Sequence, residues 1–295
     1  MARGSFEFVR PLRSLTSLEM TSSGNRRRPF RVLLRMSPTP ASRAAASYWR
    51  AVRAHRYSLV FALPLLLLYE LLAASLTDPR ARGVRNGADV LLKAGFVAAA
   101  GPHGPTIFMA LVVAVAVWLI WRDWRQSGPP RPRLFVTMFL ESACLALLLG
   151  IVVGTITARL LGLAGLEAGL SAVQGAAPAA GAVPRLDAAT KLMLSLGAGL
   201  YEELLFRVLL VAALARGARL ALGFSPAVAG ALATVLGALI FSAFHYVGPY
   251  GDPLEIGSFT YRAVAGLAFS ALYLTRGFGI TAWTHALYDV WVMVV

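Results

Sequence analysis

Seven long apolar segments constrain the fold of this 295-residue chain more than any other feature. A helix that spans the hydrocarbon core of a bilayer needs about 20 consecutive, mostly apolar residues. The segments that meet or approach this length are 57–76, 105–121, 134–154, 190–214, 226–247, 259–275 and 279–295. They predict an all-α fold, a polytopic bundle of about seven transmembrane helices.

The composition agrees with a membrane location. The chain is 58% hydrophobic and 14% charged, whereas a soluble domain has about 25% charged residues. The run 88–100 is too short to span a bilayer, and we expect it to be interfacial or re-entrant. Residues 159–186 are rich in Gly, Ala and Pro, and we expect a loop that contains a short amphipathic or re-entrant piece.

The positive charge is concentrated at the N-terminus. Residues 1–56 contain twelve arginines against two glutamates, which accounts for +10 of the net charge of +14. An anionic leaflet surface is the expected partner of this block. Nucleic acid is not expected, because no aromatic or zinc framework accompanies the arginines. Residues 1–50 lack a sustained hydrophobic period, and we predict that they are disordered. Met20 and Met36 are alternative start sites.

The remaining chain divides into two predicted parts, the N-terminal helices and loops of residues 51–184 and a catalytic helical core over residues 185–295. Arginines that flank the apolar segments predict an N-terminus in the cytoplasm. The loop 77–104 does not fit this orientation, because it is also basic although the scheme places it on the side opposite the cytoplasm. The excess of Arg over Lys and the abundance of Ala and Gly are typical of a GC-rich bacterial genome. We therefore expect a protein of the bacterial cytoplasmic membrane.

Ionisable side chains interrupt three of the late apolar segments. They are Glu202, Glu203 and Arg207 in GLYEELLFRVLL, His245 in IFSAFHYV, and His285 and Asp289 in AWTHALYDV. A charged group in hydrocarbon costs several kcal/mol (about 2.5–3.5 on insertion scales) and almost always faces the interior of the bundle. Three such clusters predict one buried polar site. Carboxylates and imidazoles are groups that activate water, so the site indicates a hydrolase.

Spacing assigns provisional roles within the clusters. Residues four apart share a face of a helix, so Arg207 is expected to neutralise and hold Glu203. Glu202 has no such partner in its own helix and is the better candidate for proton transfer. Phe241 shares a face with His245, and Asp289 with His285, where the carboxylate could orient the imidazole. Glu202, His245 and His285 could bind water directly, or they could form a His₂Glu metal site such as those of zinc hydrolases.

These residues resemble the motifs of the CPBP family of intramembrane proteases, also called the type 2 CAAX prenyl protease or Abi family. The motifs are Glu-Glu-x-x-x-Arg at 202–207, Phe-x-x-x-His at 241–245 and His-x-x-x-Asp at 285–289. The run RAVAGLAFSALYLTRGFGITAWTHALYD is similar to the family's final motif. The resemblance covers about residues 185–295.

The resemblance implies endoproteolysis of a membrane-associated protein or peptide. It assigns Glu202 as the base that activates water with His245 beside it, Glu203 and Arg207 as supporting groups, and His285 with residue 289 as oxyanion-stabilising or site-completing groups. The family usually has Asn where this chain has Asp289, and an ionised Asp cannot donate a hydrogen bond to an oxyanion. Either Asp289 is protonated, or it orients His285, or His285 donates alone. We also expect Phe241 to contact substrate.

Two other functions are compatible with the same residues. A transporter or proton relay would also place Glu and His inside the membrane, and a scaffold or immunity protein could keep the fold without the chemistry. We expect no tightly bound cofactor. A divalent metal such as zinc, with Glu202, His245 and His285 as ligands, is the alternative. Prenylated CAAX substrates are not usual in bacteria, so the substrate stays open.

Overall fold

Each of the seven predicted apolar segments contains helix in the computed structural model, which describes residues 47–76, 84–163, 186–248 and 251–294. The helices are α1 (His55–Ser75), α2 (Gly87–Ala100), α3 (Gly104–Ser127), α4 (Pro132–Leu163), α5 (Ala188–Gly197), α6 (Val211–Leu222), α7 (Pro226–Phe244), α8 (Ile256–Arg276) and α9 (Phe278–Met293). A 3₁₀ turn, Gly101–His103, joins α2 to α3, and a π-helical segment, Ala198–Leu210, joins α5 to α6. These described ranges contain no β-strand, so the prediction of an all-α fold is confirmed.

Four helical stretches of the described residues are long and apolar enough to cross a membrane. They are His55–Ser75, Gly87–Ser127, Pro132–Leu163 and Pro226–Phe244. Large apolar side chains such as Leu71 and Ile151 lie exposed on their outer faces, as expected for surfaces that contact lipid. The helical membrane bundle is therefore confirmed, whereas a total of seven spans stays a prediction. The short run 88–100 is the first part of the Gly87–Ser127 stretch.

The structure differs from the sequence prediction at two segment boundaries. Residues 47–52 are helical, and Tyr48 donates a hydrogen bond of 2.6 Å to Glu141 on α4, so order begins before residue 50. The rest of the predicted disordered segment, residues 1–46, lies outside the described residues. At the other boundary α4 extends to Leu163, and the remainder of the predicted loop, residues 164–185, is not described.

Helix α9 lies at the centre of the bundle. It packs against α1, α4, α5, the π-helical segment and α8. Its buried positions are mostly small, namely Gly279, Ile280, Thr281, Ala282, Thr284, His285 and Ala286. Small residues let helix backbones approach closely within a membrane. The polar side chain of His285 is thereby carried into the middle of the protein.

The π-helical segment contacts α9 almost backbone to backbone at Gly199. A Cβ atom at this position would lie 2.3 Å from the carbonyl oxygen of Ala282 and 2.7 Å from both the N and the Cβ of Ala286. Any side chain at residue 199 would therefore separate the two elements. This close approach places Glu202 and Glu203 beside His285.

We expect Gly199→Ala to destabilise the protein by roughly 1–3 kcal/mol, the usual cost of overpacking a tight contact. Unfolding in mixed micelles, followed by circular dichroism, measures this loss. Gly217→Ala on α6 is the matched control, because a Cβ there meets no atom within 4 Å. Equal stability of the two variants would contradict the close approach at Gly199.

Candidate active site

One carboxylate oxygen of Glu203 contacts both Arg207 and His285. Its Oε1 lies 3.1 Å from Nη1 of Arg207 and 2.7 Å from Nδ1 of His285, and all three residues are buried. Because an ionised carboxylate only accepts hydrogen bonds, Nδ1 of His285 carries the proton. The ring is thus fixed with Nε2 pointing away from Glu203.

The segment that carries Glu203 and Arg207 is a π-helix, although the sequence predicts an α-helix there. The predicted pair still forms, because residues four apart remain on one side of a helix with i→i+5 hydrogen bonds. Short π-helical turns are frequent at functional sites. The guanidinium of Arg207 also lies 4.3 Å from the ring centre of Phe241 and 5.3 Å from that of Phe269.

Glu202 faces a different set of groups from its neighbour. Its Oε1 accepts a hydrogen bond of 2.8 Å from Nδ2 of Asn86, and its Oε2 lies 4.0 Å from Nε2 of His285. Among the described residues, no group forms a hydrogen bond with Oε2, although this atom is buried. One oxygen of a buried carboxylate is therefore left to interact with a reacting group.

His245 lies just past the C-terminus of α7. Its Nδ1 is 2.9 Å from the carbonyl oxygen of Phe241, which can only accept, so Nδ1 carries the proton and Nε2 offers a lone pair. The ring of Phe241 lies near both imidazoles, with centroid distances of 5.0 Å to His245 and 6.2 Å to His285.

Asp289 lies close to His285 but does not fix its ring. The distance from Oδ2 to Nε2 is 3.6 Å, which is too long for a good hydrogen bond. Glu203 orients the imidazole instead, and Phe269 stacks on it at 4.3 Å between centroids. The spacing of four residues favoured Asp289 as the partner of His285. The carboxylate closer to His285 is that of Glu203, which lies on the π-helical segment. Asp289 and Glu202 both face Nε2 of His285.

Asn86 is a member of the site that the sequence analysis missed. It is the N-cap of α2, where its Oδ1 accepts hydrogen bonds from the backbone amides of Ala88 and Asp89. The pair Asn86–Gly87 before an apolar run is a helix-start signal. That signal identifies the cap, but nothing local connects it with a carboxylate 116 residues away.

The described residues contain no group of three or more His, Cys, Asp and Glu side chains arranged to hold a metal ion. The hydrogen bonds at Nδ1 of His285 and of His245 leave Nε2 of each ring as the nitrogen that could bind a metal. As placed, Glu202, His245 and His285 do not form a group of this kind, so a metal held by these three residues stays a prediction.

Two further carboxylates in the helices have partners outside this site. Glu70 pairs with Arg85 at 2.9 Å and Lys93 at 3.2 Å, and it accepts a hydrogen bond from Tyr201. Glu141 pairs with Arg276 at 2.6 Å. These contacts link helices, which agrees with a structural role for both glutamates.

Comparison with known families matches residues 184–291 to the family described as type II CAAX prenyl endopeptidase Rce1-like. No curated protein and no solved structure matches the chain. The matched range includes every site residue predicted from the motifs, whereas Asn86 lies outside it. The match indicates CAAX-type intramembrane protease activity. Residues 184–291 of this integral membrane protein are therefore similar to the Rce1-like type II CAAX prenyl endopeptidases.

Proposed function

We propose that the protein is an intramembrane endopeptidase that hydrolyses a peptide bond in a membrane-associated protein or peptide. The observation that carries this proposal is the free carboxylate oxygen, Oε2 of Glu202, which is buried and lies 4.0 Å from Nε2 of His285. Buried acids and imidazoles side by side are suited to proton transfer. The family match of residues 184–291 supports the same reaction class.

In the proposed reaction, Glu202 is the general base and His245 orients the water. Oε2 of Glu202 accepts a proton from a water molecule that also donates to Nε2 of His245. The resulting hydroxide attacks the carbonyl carbon of the substrate and forms a tetrahedral oxyanion. The C–N bond then breaks, and the proton held by Glu202 passes to the leaving amine. A new carboxylic acid and a new amine are the products.

His285 is proposed to stabilise the oxyanion through Nε2. Its Nδ1 already donates to Glu203, so donation from Nε2 requires a second proton on the ring. A doubly protonated imidazole can donate from Nε2, which an ionised Asp289 cannot do. In this arrangement His285 donates, and Asp289 lies beside the donating nitrogen at 3.6 Å.

A reconstituted assay tests the function directly. We expect His245→Ala to lower kcat/KM by about 10²–10⁴-fold, the usual contribution of a group that assists proton transfer. The purified protein in liposomes would be offered quenched fluorescent peptides, some with a transmembrane segment and some with a prenylated C-terminus. Both substrate types are included because the family match does not fix the substrate.

His103→Ala is the matched control, because His103 lies exposed in the 3₁₀ turn away from the site. Full activity of the His245 variant would contradict the proposed reaction. Proton flux across the liposome membrane without cleavage of any peptide would favour a proton relay instead.

A further inference from the structure

We propose that Asn86 is a positioning residue for Glu202. Its amide donates a hydrogen bond to Oε1 of Glu202. This contact leaves Oε2 as the oxygen that accepts the proton from water. The inference rests on the proposed function, since it assigns a task within that reaction. Asn86 lies outside both the predicted catalytic core and the matched range 184–291.

The orientation of the Asn86 amide follows from the hydrogen bonds of its oxygen and of its nitrogen. Its Oδ1 accepts from the backbone N–H of Ala88 at 2.9 Å and of Asp89 at 3.4 Å. A backbone N–H can only donate, so the oxygen must face the helix and the NH₂ group must face away. Nδ2 then points at Oε1 of Glu202, 2.8 Å away. The amide can therefore donate to Glu202 but cannot accept from it.

The backbone of Asn86 is also held in place. Its N–H donates to Oη of Tyr69 at 3.2 Å, and Tyr69 donates to Asp89 at 2.8 Å. Asp89 forms an ion pair of 2.6 Å with Lys93. Tyr69 and Asp89 are both almost fully buried. A donor whose surroundings are fixed in this way is preorganised, and preorganisation is what makes a hydrogen bond useful in catalysis.

Close packing at Gly197 brings the cap of α2 within reach of Glu202. A Cβ at Gly197 would lie 2.5 Å from Cε2 of Tyr69 and 2.9 Å from Cβ of Asn86. Helix α5 therefore rests directly on the side chains of Asn86 and Tyr69. Glu202 follows five residues later on the continuous π-helical segment. The N-terminal helices thus supply one group of the site built by the C-terminal core.

Substitutions at residue 86 can keep the helix N-cap while removing the hydrogen bond to Glu202. Asp and Ser are as good as Asn at a helix N-cap, yet neither Asn86→Asp nor Asn86→Ser keeps the amide donor. Asn86→Asp also places a second negative charge beside Glu202. We expect kcat to fall by about 10²-fold in Asn86→Asp, the cost of losing a fixed donor in an active site.

The split between kcat and KM distinguishes positioning from a structural role. An interaction that acts on the reacting group lowers kcat and leaves KM nearly unchanged. The assay would use the quenched peptide that the wild-type protein cleaves best. Wild-type kcat in both Asn86→Asp and Asn86→Ser would overturn the proposal, because both variants keep only the cap.

A second measurement does not depend on proteolysis. In Glu202→Gln the new amide can donate, so the pair Asn86→Asp with Glu202→Gln recreates the hydrogen bond with donor and acceptor exchanged. We expect Asn86→Asp to lower Tm by about 2–4 °C in the wild-type background and by much less in the Glu202→Gln background. An equal loss of Tm in both backgrounds would contradict the hydrogen bond between Asn86 and Glu202.

Asp187→Asn is the control for exchanging Asp and Asn at an N-cap. Asp187 caps α5 by accepting a hydrogen bond of 2.9 Å from the backbone of Thr190. We expect an unchanged Tm for this variant. If Asn86→Asp lowers Tm less in the Glu202→Gln background but the wild-type protein cleaves no peptide, the contact of Asn86 with Glu202 is supported and the protease function is rejected. Failure of the contact and failure of the proposed function are therefore distinguishable.

Discussion

Glu202→Gln is expected to abolish peptide hydrolysis while the protein stays folded. The substitution removes the group that accepts the proton from water, and loss of a general base costs about 10²–10⁴-fold in rate. Folding should survive, because the amide oxygen of Gln can still accept the hydrogen bond that Asn86 donates to Oε1. The measurement is kcat on the cleaved peptide, together with Tm in the same detergent.

Glu255→Gln provides the matched control for this substitution. Glu255 is exposed at the start of α8 and its side chain makes no capping hydrogen bond. We expect its activity and Tm to equal those of the wild type. A Glu202→Gln protein that cleaves at the wild-type rate would remove Glu202 from the mechanism, and with it the proposed assignment of water activation.

Arg207→Met is expected to have the largest effect on stability. The guanidinium is the permanently charged cation beside Glu203, whose side chain is 0% exposed. Removing one partner of a buried pair leaves an uncompensated charge and costs about 3–5 kcal/mol. The free energy of unfolding in mixed micelles measures the loss. The variant should also lose activity, because Glu203 orients His285 through the same oxygen that Arg207 contacts.

Two controls identify the buried charge as the cause. Arg276→Met breaks the pair with Glu141, in which the side chains are 23% and 20% exposed, so we expect a cost of about 1 kcal/mol or less. Arg207→Met combined with Glu203→Gln should recover part of the lost stability, because no unpaired charge remains. A double variant less stable than Arg207→Met would contradict this account.

Much of the helical arrangement could be predicted from the sequence, since the length of an apolar run is a local property. The predicted segment 226–247 corresponds to α7 (Pro226–Phe244), and 259–275 to α8 (Ile256–Arg276). The pairing of Glu203 with Arg207 followed from a spacing of four residues. Each of these inferences depends on chain neighbours only.

The motifs also indicated which helices carry the candidate site. Charged groups within apolar segments are costly unless they face one another, and Glu202, Glu203 and His285 do lie together. The orientation of His285 was not predictable in the same way. Asp289 shares its helix, but Glu203 is nearer, because the approach at Gly199 brings the π-helical segment against α9.

Sequence alone therefore determined where this chain forms helices and which ionisable groups must avoid lipid, because both depend on the cost of placing residues in hydrocarbon. Only the tertiary structure decided which groups meet. The hydrogen bond from Asn86 to Glu202 joins residues 116 positions apart, and it depends on how α2 and α5 pack around Gly197. Contacts of this kind have no local period in the sequence, since they exist only once the helices have docked.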